Sequence, residues 1–199
     1  SEPVNITITR KMLEDHPMDN SLSPSQIINK YWEIYNSSYK TNNALNGVIF
    51  ENLAIIALAS SGIKNIYYQT ELTFVPSAIF DIFLYNENRP IVISVKTSLR
   101  ERWKQADLEA LAIKQVHKNA KCYLLTLSIN EVRVRRERDE NYAGLDGFIL
   151  ANTEEFDQFV ESIKDETFTL AGEFPIVKNK NNIYTLKKIN EYFNLNIIT

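Results

Sequence analysis

The sequence predicts an α/β fold: a central mixed β-sheet flanked by helices in one domain, residues 1–199. Three observations lead there. Between Ile66 and Lys96, apolar residues alternate or run in short blocks, the habit of strands. Apolar residues at helical spacing precede and follow that block. Two further short apolar runs come later in the chain, so that the elements read α-β-β-β-α-β-β-α, the order of a layered α/β domain. The chain has 199 residues, 44% hydrophobic and 24% charged, enough for a substantial core.

Taken in order, residues 1–20 are polar without a clear period, and an arm or irregular structure is expected. Ser23-Pro24-Ser25 offers a helix start, a cap followed by proline in the first turn. That helix carries Ile27, Ile28, Tyr31, Trp32 and Tyr35 and is broken over Ser37 to Asn43. A second helix, Ala44 to Ser60, is apolar on nearly every side and is therefore expected to be buried, with Gly62 as its stop. Glu51 is its odd residue: either a Glu at the core edge reaching water, or a carboxylate turned toward a site. Ile66 to Val75 reads as a strand that includes Phe74. Ala78 to Tyr85 and Ile91 to Lys96 form a hairpin through Asn86-Glu87-Asn88-Arg89-Pro90. A helix from Leu99 to Lys118 follows, with Trp103, Leu108, Leu111, Ala112 and Val116 as its apolar positions. Tyr123 to Leu127 and Gly147 to Asn152 are strands. Between them Glu131 to Glu140 is densely charged and reads as a solvated loop or a phosphate contact. Thr153 starts a helix with Phe156, Phe159, Val160 and Ile163. The tail holds Lys178-Asn179-Lys180 and a short helix through Leu186, Ile189 and Phe193.

Composition narrows the function. A single cysteine, Cys122, excludes an internal disulfide and a cysteine zinc site, and two histidines are too few for a histidine-rich metal site. Net charge is -3, so nucleic acid would have to be met by local basic patches. No apolar run is read as a membrane span, and no signal-peptide core opens the chain; a cytoplasmic protein without membrane contact is expected.

One constellation carries chemistry. If the hairpin closes over Asn86 to Arg89, Asp81 lies opposite Ser94. Side chains alternate along a strand, so Ser94 and Lys96 share its face. A carboxylate and an ammonium are thus brought together in apolar surroundings. That arrangement needs a reason, because an unpaired charge there is costly. The plain alternative is a structural Asp81–Lys96 ion pair.

Asp81, fourteen intervening residues, then Ser94-x-Lys96, preceded by a buried helix bearing Glu51, resembles the PD-(D/E)xK nuclease superfamily. Ser94 stands where the usual pattern has a second acid, and Phe80 where it has proline. The restriction endonuclease branch typified by EcoRII, PspGI and NgoMIV departs in the same way, its second acid having moved onto the next helix. Here twelve residues separate Lys96 from Glu109. That branch also carries an arginine followed by an acid shortly after the lysine, matched by Arg100-Glu101. The resemblance spans roughly Gly47 to Ala112. It implies a restriction-endonuclease-like fold and a type II restriction endonuclease that binds double-stranded DNA as a homodimer. Mg2+ would be held by Asp81 and Glu109, with Glu51 at a second ion or a metal-bound water, and Ser94 and Lys96 completing the catalytic set. Arg100 and Glu101 would read guanine and cytosine at a CC/GG-containing palindrome, Arg102 and Lys104 contacting DNA beside them. Two other classes stay open: a repair or recombination nuclease of the same superfamily, and a DNA-binding module that does not cleave. For the dimer surface, Tyr31, Trp32 and Tyr35 are one candidate; the alternative is that they cap the core of their own chain.

Overall fold

A computed structural model describes residues 1–73, 75–138, 140–171 and 181–198, with Pro76 described in its backbone only. The expectations placed on Phe74 and on Lys178-Asn179-Lys180 lie outside the described residues. The chain divides into two compact units. One comprises Ser1–Lys64, Ala151–Glu166 and Tyr184–Thr199; the other comprises Asn65–Leu150 and Thr167–Ile183.

The first unit is helical. It holds α1 (Val4–Asp15), α2 (Pro24–Ser38), α3 (Asn43–Ser60), α6 (Glu154–Ile163) and α7 (Leu186–Phe193). The expectation of an irregular arm over residues 1–20 is overturned by α1. Its sparse apolar positions, Ile6, Met12 and Leu13, share a buried face with Thr9. Asn52 of α3 donates to Asn5 Oδ1 (3.0 Å) and Thr9 Oγ1 (3.1 Å), so polar residues hold α1 where few apolar ones are present. The start of α2 is a full capping box, Ser23 with Gln26. α3 is buried throughout Ile49–Ala59 and stops at Ser60, two residues before Gly62, whose φ of 97° suits a residue without Cβ. Among the described residues one helix, Asn43–Ser60, is long and apolar enough to cross a membrane by length and composition alone, and 56% of it is buried inside the protein. Tyr31 and Tyr35 are fully buried in their own chain, donating to His16 O and Asn46 Oδ1, each at 2.7 Å. Those two tyrosines are thereby removed as an interface candidate: each aromatic body fills the core while its hydroxyl finds a local acceptor.

The second unit is built on a six-stranded mixed sheet of order β5-β4-β3-β2-β1-β6. Its strands are β1 (Ile66–Leu72), β2 (Val75–Leu84), β3 (Ile91–Lys96), β4 (Lys121–Thr126), β5 (Gly147–Leu150) and, from the two-residue β6 (Ile183–Tyr184), Ile183. β1, β2 and β3 pair antiparallel, while β3, β4 and β5 pair parallel. The parallel joins need crossovers, which α4 (Arg102–Val116) and α5 (Ile129–Glu137) supply. The charged run read as a loop is therefore largely a helix; Asp139 within it lies outside the described residues. Only Val132 of α5 is buried, so an apolar period was hardly visible there.

Leu108 and Val116, read as apolar positions of the helix after Lys96, are exposed. The buried face of α4 is instead Ala106, Asp107, Ala110 and Ile113. The small alanines let a neighbouring loop lie on the helix backbone. A Cβ at Gly144 would sit 2.1 Å from Leu111 N, so only glycine fits. Asp107 holds that loop by accepting from Ala143 N (2.9 Å), Gly144 N (2.8 Å) and Leu145 N (2.9 Å).

Candidate active site

The hairpin register places the site. Ile82 pairs with Ile93, Phe83 with Val92 and Leu84 with Ile91. Extending that register by one step sets Asp81 opposite Ser94, as the turn residues imply. The backbone ladder gives way at this point: Val95 N donates to Asp81 Oδ2 (2.8 Å). By alternation Asp81, Ser94 and Lys96 share a face with Phe83 and Val92. Those two residues pack in one apolar cluster with Ala106, Ala110 and Ile113 of α4.

Lys96 Nζ stands 3.3 Å from Asp81 Oδ2, and the two side chains are 29% and 14% exposed, so solvent reaches the pair. A third donor is Gln69 Nε2, 3.1 Å from Asp81 Oδ1. Gln69 sits in β1 with φ 42°, a left-handed conformation that costs a non-glycine residue about 1–2 kcal/mol. Backbone strain of this kind gathers at functional sites. Nothing in the sequence marks Gln69, since one polar residue within a strand carries no signal.

Glu109, one turn along α4 from Gln105, is half-buried. Burial pushes its carboxyl above the usual value. The Lys96 charge opposes that rise, the Asp81 charge adds to it, and a hydrogen bond with Gln105 opposes it again. Asp81, Lys96 and Glu109 therefore feel one another's charges, and Ser94 is half-buried on the same strand face as Lys96. Glu51 belongs to the helical unit, where it is buried on α3. Among the described residues no group of three or more His, Cys, Asp and Glu side chains is arranged to hold a metal ion.

The basic segment lies just past Lys96. Arg100 and Glu101 precede α4 rather than lying in it, and Arg100 has φ 44°. Glu101 pairs with Lys104 at 2.6 Å, and that hydrogen bond holds its carboxyl below the usual value. Both partners are exposed, so the pair opens readily to another ligand. Arg102 reaches back to Ser98 Oγ (3.2 Å). Arg100, Trp103 and Lys104 line a groove of about 330 Å³ with Arg135 and Arg138 of the α5 region. Arg135 lies 5.0 Å from the Trp103 ring centre and 2.8 Å from Glu140. The groove thus has arginines from two elements around one aromatic floor.

No family model matches the chain, and neither a curated protein nor a solved structure matches it.

Proposed function

We propose that the protein is a Mg2+-dependent endonuclease with the PD-(D/E)xK fold, a type II restriction enzyme cutting double-stranded DNA at a CC/GG-containing palindrome as a homodimer. The observation that carries this reading is the Asp81–Lys96 pair, 3.3 Å apart and open to solvent, with the half-buried Glu109 near enough for both charges to act on its carboxyl.

The donor set fits magnesium. Mg2+ prefers hard oxygen ligands, commonly one or two carboxylates with water and phosphate, rather than an all-protein cage. Asp81 and Glu109 offer two carboxylates. Asp81 Oδ1 takes one hydrogen bond from a side-chain amide, which leaves a lone pair on that oxygen for a cation. Bound there, the ion would lower the pKa of a water and offset charge on the phosphate. The protein's part is to hold the reactants. Val95 N fixes the Asp81 carboxylate through Oδ2, and Gln69 is a side-chain donor to Oδ1. Lys96 stands 3.3 Å from Asp81, and its ammonium would meet a phosphate oxygen and the attacking water. Ser94 stands beside it on the strand. Arg100 and Glu101 address guanine and cytosine edges in the major groove. Arg102, Lys104, Arg135 and Arg138 add cations for the backbone.

Incubation with a sequenced plasmid and Mg2+ is expected to yield discrete fragments whose ends map to CCGG-type or CCNGG-type sites. An intact plasmid overturns the nuclease reading. Degradation without sequence preference points instead to a repair or recombination enzyme. A palindrome presents two equivalent phosphates, and one chain holds one Asp81–Lys96–Glu109 set. Light scattering on a short cognate duplex is therefore expected to show two chains per duplex.

A further inference from the structure

Glu131 is used in a way its position in α5 does not require. It is the third residue of that helix, where a glutamate in a capping box reaches back to the amide of the cap residue. Here the Ser128 amide goes elsewhere, to Thr126 Oγ1 at 3.3 Å. The Glu131 carboxylate points instead across to the turn after Lys96. Its Oε1 accepts from Leu99 N at 3.2 Å and its Oε2 from Arg100 N at 2.6 Å, while Ser128 Oγ donates to Oε1 at 2.7 Å. Burial works to raise the carboxyl, but the bonds from Ser128, Arg100 and Leu99 outweigh it and keep Glu131 ionised. Arg100 is held in the left-handed region at φ 44°, which an arginine seldom adopts unaided. Thr126, which anchors Ser128, is the register partner of Lys96 across β3 and β4. The turn that leaves the reactive lysine is thus tied at its far end to the strand beside it.

We infer that Glu131 is a positioning residue that fixes the Leu99–Arg100 backbone so that the Arg100 side chain is aimed at the bases of bound DNA. This rests on the nuclease reading above. A carboxylate is the side chain the task needs, because it is acceptor-only and offers two oxygens to three donors. Glutamine keeps the shape but would turn an amide donor toward a backbone N–H. Aspartate is one methylene too short to span the gap.

The test compares kcat/KM in Mg2+ for the cognate duplex and for duplexes with one base pair changed within the site. Glu131→Gln is expected to lower the cognate value about 10–100-fold and to lower cleavage of the altered duplexes less. Discrimination should contract toward that of Arg100→Ala. In the double variant, Glu131→Gln should add no further loss of discrimination to Arg100→Ala. Should Glu131→Gln fail to fold, as judged by circular dichroism, Ser128→Ala removes one tether and is expected to narrow discrimination about 3-fold. Full discrimination in Glu131→Gln or Ser128→Ala, or losses that multiply in the double variant, overturn the inference while leaving the nuclease intact. A wild-type protein that cuts no DNA overturns the nuclease reading and this inference with it.

Discussion

Asp107 and Glu109 stand two residues apart on α4 and live in opposite circumstances. Asp107 is buried and accepts from three consecutive backbone amides, Ala143 to Leu145, at 2.8–2.9 Å. Every donor is fixed to the main chain, so the carboxylate is tied into the fold. Glu109 is half-buried, has a side-chain partner in Gln105, and carries a raised pKa. Asp81 resembles Glu109 more than Asp107: two of its three donors, from Gln69 and Lys96, are side chains able to turn away. A carboxylate satisfied by fixed amides holds structure. One met by movable groups remains able to exchange them for a ligand.

Removing the exchangeable set should produce the largest effect on activity. Asp81→Ala, Lys96→Ala and Glu109→Ala are each expected to lower cleavage by about 1,000-fold or more, with the circular dichroism spectrum unchanged. Near-normal cleavage by Glu109→Ala would remove the acid on α4 from the site.

The fixed set should show the reverse. Asp107→Ala strands three backbone amides, those of Gly144 and Leu145 buried, and is expected to cost about 2–4 kcal/mol. That corresponds to a fall in Tm of about 10 °C. Gly144→Ala, with its Cβ pressed on the α4 backbone, should destabilise by a comparable amount. At low temperature the folded fraction of either variant should still cleave. An unchanged melting curve for Asp107→Ala would erase the contrast between the two acids.

A smaller effect is expected at Gln69. Its alanine variant frees Asp81 Oδ1 of its amide donor, and cleavage should fall about 10-fold with an altered Mg2+ dependence. A rate unchanged at all Mg2+ concentrations would make the contact incidental.

The smallest effect sharpens the comparison by pH. The Glu109 carboxyl is raised when folded, so ionising it costs the folded chain something the unfolded chain does not pay. Below the ordinary carboxyl range both states are protonated, and Glu109→Gln should leave Tm as it was. As pH rises through the raised value the substitution should become stabilising, by at most about 2 °C near neutrality without metal. Adding Mg2+ should stabilise wild type and not this variant. A gain at low pH that vanishes on raising it would reverse the assigned sign.

The hairpin was legible because its determinants are local. Asn86 to Pro90 set the turn, alternation set the faces, and together they put Asp81 opposite Ser94 and beside Lys96. The buried helix α3 and its stop just before Gly62 were equally plain, since a continuous apolar run and a glycine act through short-range packing and backbone sterics. Other features were decided only by tertiary contacts. α1 looked irregular because its hold on α3 comes partly through Asn5, Thr9 and Asn52, and polar contacts leave no apolar period. α5 looked like a loop because one buried valine suffices where the rest of its surface is charged. The inner face of α4 was misread: alanines, not the larger Leu108 and Val116, allow the close approach of Gly144. Asp107, Glu131 and Gln69 are ordinary polar letters in the chain. Each acquires its role from amides or a carboxylate 12 to 38 residues distant, and only the folded backbone brings those groups within hydrogen-bond reach.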